Sequence, residues 1–422
     1  MLRIFSAGDE KKLDALLASR QLMLGRAERV AARILSDVER RGDRAIEEYT
    51  KKFDKVDLRK AGWTVTKAEV RRAQQEVSPE LKRAFREAAR NITAVARRQV
   101  PKGWRLETRP GVRVSQIVRP LGKVACYVPG GRFALPSTVL MSAIPARVAG
   151  VKEIYLTCPR AAPAVLVAAE MVGVTKIFRL GGAQAVAAFA VGTAKVPRVD
   201  KIVGPGNRYV AAAKRLVAGR CGVDFVAGPT ELVVVADKGN PGWIAADLVA
   251  QAEHDPDAMP ILLTSSKKLA RQVQQEATRR VRDLGSRVAE KSLRNCGAIV
   301  LTRSRKESLA LANRIGAEHL AIFEDEGKSL SEVASAGSIF LGPFSAVAAG
   351  DYASGSNHIL PTGAAAHQRA GLSAADFVKT ISVQRLTRAG LARLRPAITA
   401  LARAEGLEAH ARSVEVRFER DD

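Results

Sequence analysis

The chain has little cysteine and little histidine, and these scarcities narrow its class. Its four cysteines, Cys126, Cys158, Cys221 and Cys296, are scattered and form no CxxC pair, which argues against a disulfide framework and a thiolate zinc knuckle. Residues 1–10 hold no uninterrupted apolar stretch, and later apolar runs are broken by Pro, Gly or charge well short of membrane-spanning length. A soluble, cytoplasmic protein is the expectation. Solenoid repeats, low-complexity linkers, helix-turn-helix spacing and zinc fingers are also missing from the sequence.

Positive charge and apolar residues are abundant. The formal net charge is +25, which leaves open salt-sensitive binding of polyanions by a basic scaffold. The basic residues, however, are spread through amphipathic stretches such as 82–90, the pattern of solvated helix faces. A chain of 422 residues that is 47% hydrophobic can bury substantial cores, and its length fits two or three units.

Apolar spacing predicts mainly helical structure over 10–55 and 71–98, interrupted by prolines and glycines over 101–111. Strands are expected at 124–128, 152–157, 175–179, 231–236 and 260–263. Helices are expected between and after them at 137–150, 162–172, 183–191, 241–254 and 267–282. This alternation points to α/β architecture with parallel sheets covered by helices. The end of the chain reads as helices over 374–386 and 388–405, then a strand over 414–418. So short a tail is expected to dock on the body or on another subunit.

Four of the five histidines keep company with carboxylates or amides: Gln251 with His254, Glu318 with His319, Asp351 with His358, and Glu405 with His410. Imidazole both binds divalent metals and titrates near neutrality, so the grouping suggests a metal and proton-transfer site. Each pair also has a plainer explanation. His254 can complement a helix C-terminus beside a solvent-facing Gln251, Asp351 can form an Asx turn, and His410 can be a surface residue. Together, Gln251, His254, Asp351 and His410 would supply two imidazoles, a carboxylate and an amide oxygen, a set zinc accepts. Adjacent Glu318 and His319 would take separate proton-transfer jobs, with His319 accepting an alcohol proton and Glu318 activating water. The glycine segments at Gly130-Gly131, Gly181-Gly182-Ala-Gln184 and Gly204-Pro-Gly206-Asn207 offer backbone donors, but none is the dinucleotide fingerprint.

In family order the chain shows Tyr127-Val-Pro-Gly-Gly, Gly181-Gly-Ala-Gln, Gly204-Pro-Gly-Asn, Gly228-Pro-Thr-Glu, Gln251-Ala-Glu-His, Gly316-Ala-Glu-His and Gly350-Asp-Tyr-Ala-Ser-Gly. These motifs resemble the histidinol dehydrogenases, from the early helices to about Val416. The resemblance implies two Rossmann-like domains with incomplete dinucleotide folds. One would be discontinuous, 21–126 with 230–372, and the other, 127–229, would contact NAD. A helical segment, 1–20, and a mostly helical tail, 373–422, swapped in a homodimer, would complete the chain.

By the same resemblance Tyr127, Gln184 and Asn207 contact NAD. Thr230, Gln251, His254, His319, Asp351, His358, Glu405 and His410 line the substrate site, and Gln251, His254, Asp351 and His410 bind one zinc ion. His410 would come from the partner, and Glu318 and His319 would be the catalytic pair. The implied reaction is a four-electron oxidation of L-histidinol through its aldehyde to L-histidine, using two NAD in sequence. Thr230 stands where Ser is common, and Ala346-Val347 where Pro-Glu is usual. His367 is expected to be exposed or locally hydrogen-bonded. Loss of a carboxylate at Val347 keeps open a paralogous zinc and NAD dehydrogenase of another small amino or sulfonated alcohol.

Overall fold

Short, mostly apolar runs that are buried throughout, such as Glu231–Val235 and Met259–Thr264, become central parallel strands because helices cover both faces of the sheet. In the computed structural model, which describes residues 2–18, 25–130, 135–225, 228–323 and 327–419, the strands in chain order begin with β1 (Arg3–Ser6), β2 (Trp104–Arg109), β3 (Val112–Pro120), β4 (Lys123–Tyr127), β5 (Glu153–Thr157), β6 (Lys176–Phe178) and β7 (Lys201–Val203). They continue as β8 (Gly222–Val223), β9 (Glu231–Val235), β10 (Met259–Thr264), β11 (Ala298–Leu301), β12 (His319–Ile322), β13 (Ser338–Leu341) and β14 (Val378–Leu386). The expected turn residue Gly131 and the expected helical positions 19–24 lie outside the described residues.

Residues 1–99 and 121–377 form one compact unit with two parallel sheets. The first sheet is ordered β6-β5-β4-β7-β8, so the strand order reverses between β4 and β7. Helices Gly25–Arg41, Gly182–Val191 and Arg208–Val217 share a core with it that includes Ile34, Phe178, Phe189 and Val210. The second sheet is ordered β1-β11-β10-β9-β12-β13 and reverses between β9 and β12. Its two faces belong to separate apolar clusters, one with Leu232, Val234 and Leu262 and the other with Val233, Ile261 and Leu263. The α/β architecture with parallel sheets is thus the one expected from the alternating pattern.

Residues 100–120 and 378–422 form the other compact unit. It holds the antiparallel sheet β14-β3-β2 and the helices Arg388–Ala404 and Glu408–Glu415. Two expectations are corrected here. The stretch 374–386 is not a helix: a 3-10 turn at Ala374–Phe377 leads into β14, which pairs with β3 along its whole length. The segment Val378–Leu386 carries the β-branched residues Val378, Thr380, Ile381 and Val383, which favour a strand, although its apolar positions keep no strict alternation. Conversely, 414–418 is not a strand, because the helix Glu408–Glu415 runs through its start and ends in a 3-10 turn, Val416–Phe418. Glu408 and Arg412 pair one turn apart on that helix.

No helix among the described residues is long and apolar enough to cross a membrane.

Candidate active site

The polar groups of the second sheet collect where β9 and β12 begin. Thr230 immediately precedes β9, Glu231 opens it, Glu318 precedes β12, and His319 opens that strand. The two strands are paired, with His319 opposite Leu232, so the register brings four functional side chains from distant sequence together. Gly316 caps the preceding helix, Arg305–Ile315, in the left-handed conformation at φ 58°, a geometry glycine adopts without steric cost. An added Cβ there would also meet the His367 ring at 2.7 Å. His367 faces the Arg314 carbonyl at 3.3 Å.

A hydrogen-bonded chain runs through this cluster. The Gln251 amide nitrogen donates to the Thr230 hydroxyl, which donates to Glu318 Oε2. The Glu231 backbone N–H also donates to Glu318 Oε2, at 3.0 Å. The chain fixes the Gln251 amide with its nitrogen toward Thr230, leaving its oxygen for another partner. Glu318 is almost fully buried, and burial pushes its carboxyl above the usual range against the pull of His319.

His319 is 4% exposed. Its Nδ1 lies 3.1 Å from the Glu231 carbonyl, so that nitrogen carries the proton and donates. Nε2 is left facing Asp351 Oδ1 at 3.4 Å, without hydrogen-bond geometry. Burial lowers the affinity of this ring for a second proton, but Glu318 and Asp351 outweigh it and raise the value to about 9. Asp351 has the opposite balance: burial raises its carboxyl, while His319, His358 and His254 hold it below the usual range. His358 presents Nδ1 to the Asp351 carbonyl at 2.8 Å and Nε2 toward the Thr138 hydroxyl at 3.4 Å. Burial depresses the His358 value.

Asp351 lies in a short helix, Val347–Tyr352, rather than an Asx turn. Its neighbour Val347 packs in the apolar core with Phe340. Gln251 is buried near the end of helix Pro241–Ala252, and His254 is exposed just beyond it, so the helix stops two residues sooner than its spacing predicts. Among the described residues no group of three His, Cys, Asp or Glu is arranged to hold a metal. Gln251, His254 and Asp351 offer donors of a mixed kind, with the Gln251 amide oxygen turned away from Thr230. An amide oxygen, an imidazole and a carboxylate are donor types that zinc accepts. Glu405 and His410 are exposed in the other compact unit, at the end of helix Arg388–Ala404 and within helix Glu408–Glu415.

The first sheet presents its groups at the opposite ends of its strands. Tyr127 ends β4, and Asn207 follows β7, on either side of the reversal in strand order. Asn207 Oδ1 caps helix Arg208–Val217 by accepting from Tyr209 and Val210, which leaves its amide N–H groups available. Gly204 has φ 115°, and an added Cβ would lie 2.2 Å from the Tyr127 carbonyl oxygen. The turn is gripped from below by a buried ion pair. Lys214 donates to the Gly204 carbonyl and lies 2.5 Å from Asp224, which accepts from the Gly204 N–H at 2.7 Å. The Gly182 N–H donates to the Tyr127 hydroxyl at 3.0 Å. A cavity of about 1180 Å³ is bordered by Tyr127, Gln184 and Asn207 and extends to His254, a size and position suited to a dinucleotide at a switch point.

Three participants were not singled out in the sequence. Glu231, within the Gly228-Pro-Thr-Glu motif, orients His319 through its carbonyl and accepts from Gly363 at 3.0 Å. Thr138 faces His358, and Asp54 bonds Gln184. A hydroxyl and a carboxylate so far away in sequence carry no local signal.

Comparison with known proteins agrees with this geometry. The family model described as histidinol dehydrogenase matches residues 18–418. Among curated proteins, histidinol dehydrogenase from Moorella thermoacetica is 48% identical, covering 93% of this chain and 95% of that protein. The enzyme of that name from Methanothermobacter thermautotrophicus is 44% identical, covering 99% and 100%. The crystal structure of histidinol dehydrogenase from Elizabethkingia anophelis superposes with a TM-score of 0.93 at 35% identity, covering 99% of this chain and 98% of that one. With its motifs, buried proton-transfer cluster and two parallel sheets, this chain belongs to the histidinol dehydrogenase family of NAD-dependent oxidoreductases.

Proposed function

We propose that the protein catalyses the zinc-dependent oxidation of L-histidinol through L-histidinaldehyde to L-histidine, with reduction of two NAD. The observation that carries this reading is the Gln251–Thr230–Glu318 chain beside a His319 whose tautomer is fixed by Glu231. In the first oxidation His319 Nε2 takes the alcohol proton as hydride leaves the carbinol carbon for the nicotinamide. The Glu231 carbonyl holds the ring proton on Nδ1, which leaves Nε2 as the acceptor.

In the second oxidation Glu318 removes a proton from water as it adds to the aldehyde. Burial that lifts a carboxyl toward neutrality makes it a stronger base. The hydrated aldehyde then loses hydride to the second NAD. Thr230, His358 and Glu405 would line the pocket and hold the substrate between the two steps. Gln251, His254, Asp351 and His410 of the partner subunit would hold zinc, whose contribution is to anchor the substrate amine and imidazole so that the reacting carbon is fixed near His319. Tyr127, Gln184 and Asn207 would contact NAD in the domain 127–229, while 21–126 with 230–372 would carry the chemistry. The segment 1–20, expected to be helical, instead begins as β1 paired with β11 before the helix Glu10–Ala18. The tail 373–422 would be exchanged in a cytoplasmic homodimer.

Zinc-loaded protein given L-histidinol and NAD is expected to form two NADH per histidine and to lose turnover after EDTA treatment. Loaded protein that forms neither product would overturn the reading.

A further inference from the structure

Gln184 sits in the first turn of helix Gly182–Val191, 1% exposed, and its two amide atoms have different surroundings. Nε2 donates to Asp54 Oδ2 at 2.9 Å, while Oε1 is buried and has no hydrogen-bond partner among the described residues. Asp54 comes from the one-turn π-helix Thr50–Asp54, and the nearby Gly181 N–H favours its ionised form. The fit is close on both sides. A Cβ at Gly181 would meet Asp54 Oδ1 at 2.7 Å, and one at Gly182 would meet Gln184 Oε1 at 2.6 Å. Asp54, Gln184, Gly182, Tyr127 and Asn207 border the same cavity.

We infer that Asp54 is a positioning residue for the dinucleotide: by taking the amide nitrogen of Gln184, it turns the amide oxygen toward a hydrogen-bond donor of NAD. An ionised carboxylate can only accept, so the amide cannot reverse without placing oxygen against oxygen. The unsatisfied Oε1 is a buried acceptor whose missing partner is an N–H or O–H group. NAD has three such sources: the nicotinamide carboxamide, the adenine amine and the ribose hydroxyls. The inference rests on the reading that Gln184 contacts NAD.

The electrostatic setting adds a pH signature. Burial pushes Asp54 up to about 6, while the Gly181 N–H, the Gln184 amide and Arg160 pull it back. The other titratable neighbours are the Tyr127 hydroxyl, raised mainly by burial, and the Cys158 thiol, raised mainly by burial to about 11. Both stay neutral near pH 6. Protonation of Asp54 supplies an O–H that can bond Oε1, so the reversed amide becomes accessible and NAD binding weakens as pH falls through about 6.

The test is NAD titration of the zinc-loaded protein carrying Gln184→Ala, Asp54→Ala, Asp54→Asn, or Asp54→Ala with Gln184→Ala. Asp54→Ala and Gln184→Ala are each expected to weaken NAD binding about tenfold, on the scale of one lost hydrogen bond. The double variant should bind no more weakly than the worse single, because both remove the same contact. The isosteric Asp54→Asn, chosen to preserve packing, should lie between wild type and Asp54→Ala and lose the pH dependence. The 3-acetylpyridine analogue of NAD lacks the carboxamide N–H, and the hypoxanthine analogue lacks the adenine amine. Whichever binds equally to wild type and Gln184→Ala identifies the donor, and if neither does the donor is a ribose hydroxyl. Unchanged affinity in Gln184→Ala would sink the NAD-contact reading itself. Weakened Gln184→Ala with unchanged Asp54→Ala, or losses that multiply in the double variant, would overturn only the role given to Asp54.

Discussion

The two parallel sheets of the larger unit have the same plan but use opposite edges. Each reverses strand order once, between β4 and β7 in the five-stranded sheet and between β9 and β12 in the six-stranded one. In the first, Tyr127 and the Gly204–Asn207 turn lie at the carboxyl ends of the flanking strands, the usual ligand edge of an open α/β sheet. In the second, Thr230, Glu231, Glu318 and His319 lie at the amino ends. The groups differ accordingly. The carboxyl edge offers backbone turns and neutral amides, suited to a large cofactor that must come and go. The amino edge buries carboxylates and imidazoles whose proton affinities shift one another, as proton-transfer chemistry requires.

The comparison can be broken first at the turn that shapes the carboxyl edge. Asp224→Ala would leave Lys214 charged and buried without its partner, at a cost of about 3–5 kcal/mol. Denaturant unfolding should show that loss, whereas a midpoint like that of wild type would mean the ion pair does not hold the turn. At the amino edge, Glu318→Gln should slow aldehyde oxidation by about 100-fold or more. It should slow alcohol oxidation much less; equal losses in the two half-reactions, measured by single turnover from each substrate, would remove the separate role of Glu318. The smallest effect is expected for Thr230→Ser. The hydroxyl between Gln251 and Glu318 is retained and only a methyl is lost, so kcat/KM should stay within a few-fold. A large drop would show that the methyl group, rather than the hydrogen-bonded chain, sets the position of Glu318.

Much of this division was legible in the sequence, and the illegible parts have physical causes. Alternating β-branched strands and alanine-rich helices specify parallel sheets, because strands buried on both faces read as apolar runs, as Leu232–Val235 does within β9. The spacing within Gln251-Ala-Glu-His254 and the Glu318-His319 pair singled out candidate groups by their chemistry. Which edge of a sheet such groups occupy is set by register, and the pairing of β9 with β12 joins residues nearly ninety positions apart. Backbone acceptors escape notice for a similar reason. The Glu231 carbonyl that orients His319 exists in every residue, and only the fold selects it. Asp54 reaches Gln184 across 130 positions. At 378–386 the apolar spacing fits a helix as well as a strand, and it is pairing with β3 along the whole length that decides for the strand, whereas at 414–418 an alternating Val-Glu-Val-Arg-Phe stretch is absorbed into a helix end.

The division of labour between the edges is tested most directly by measuring NAD affinity and kcat side by side in His319→Asn and Asn207→Ala. The account predicts that His319→Asn lowers kcat by about 100- to 10,000-fold, the range for losing a general base, with NAD affinity within about twofold of wild type. Asn207→Ala should weaken NAD binding and leave kcat at saturating NAD nearly intact. If His319→Asn weakened NAD binding as much as Asn207→Ala while sparing kcat, the assignment of chemistry to the amino edge would be contradicted.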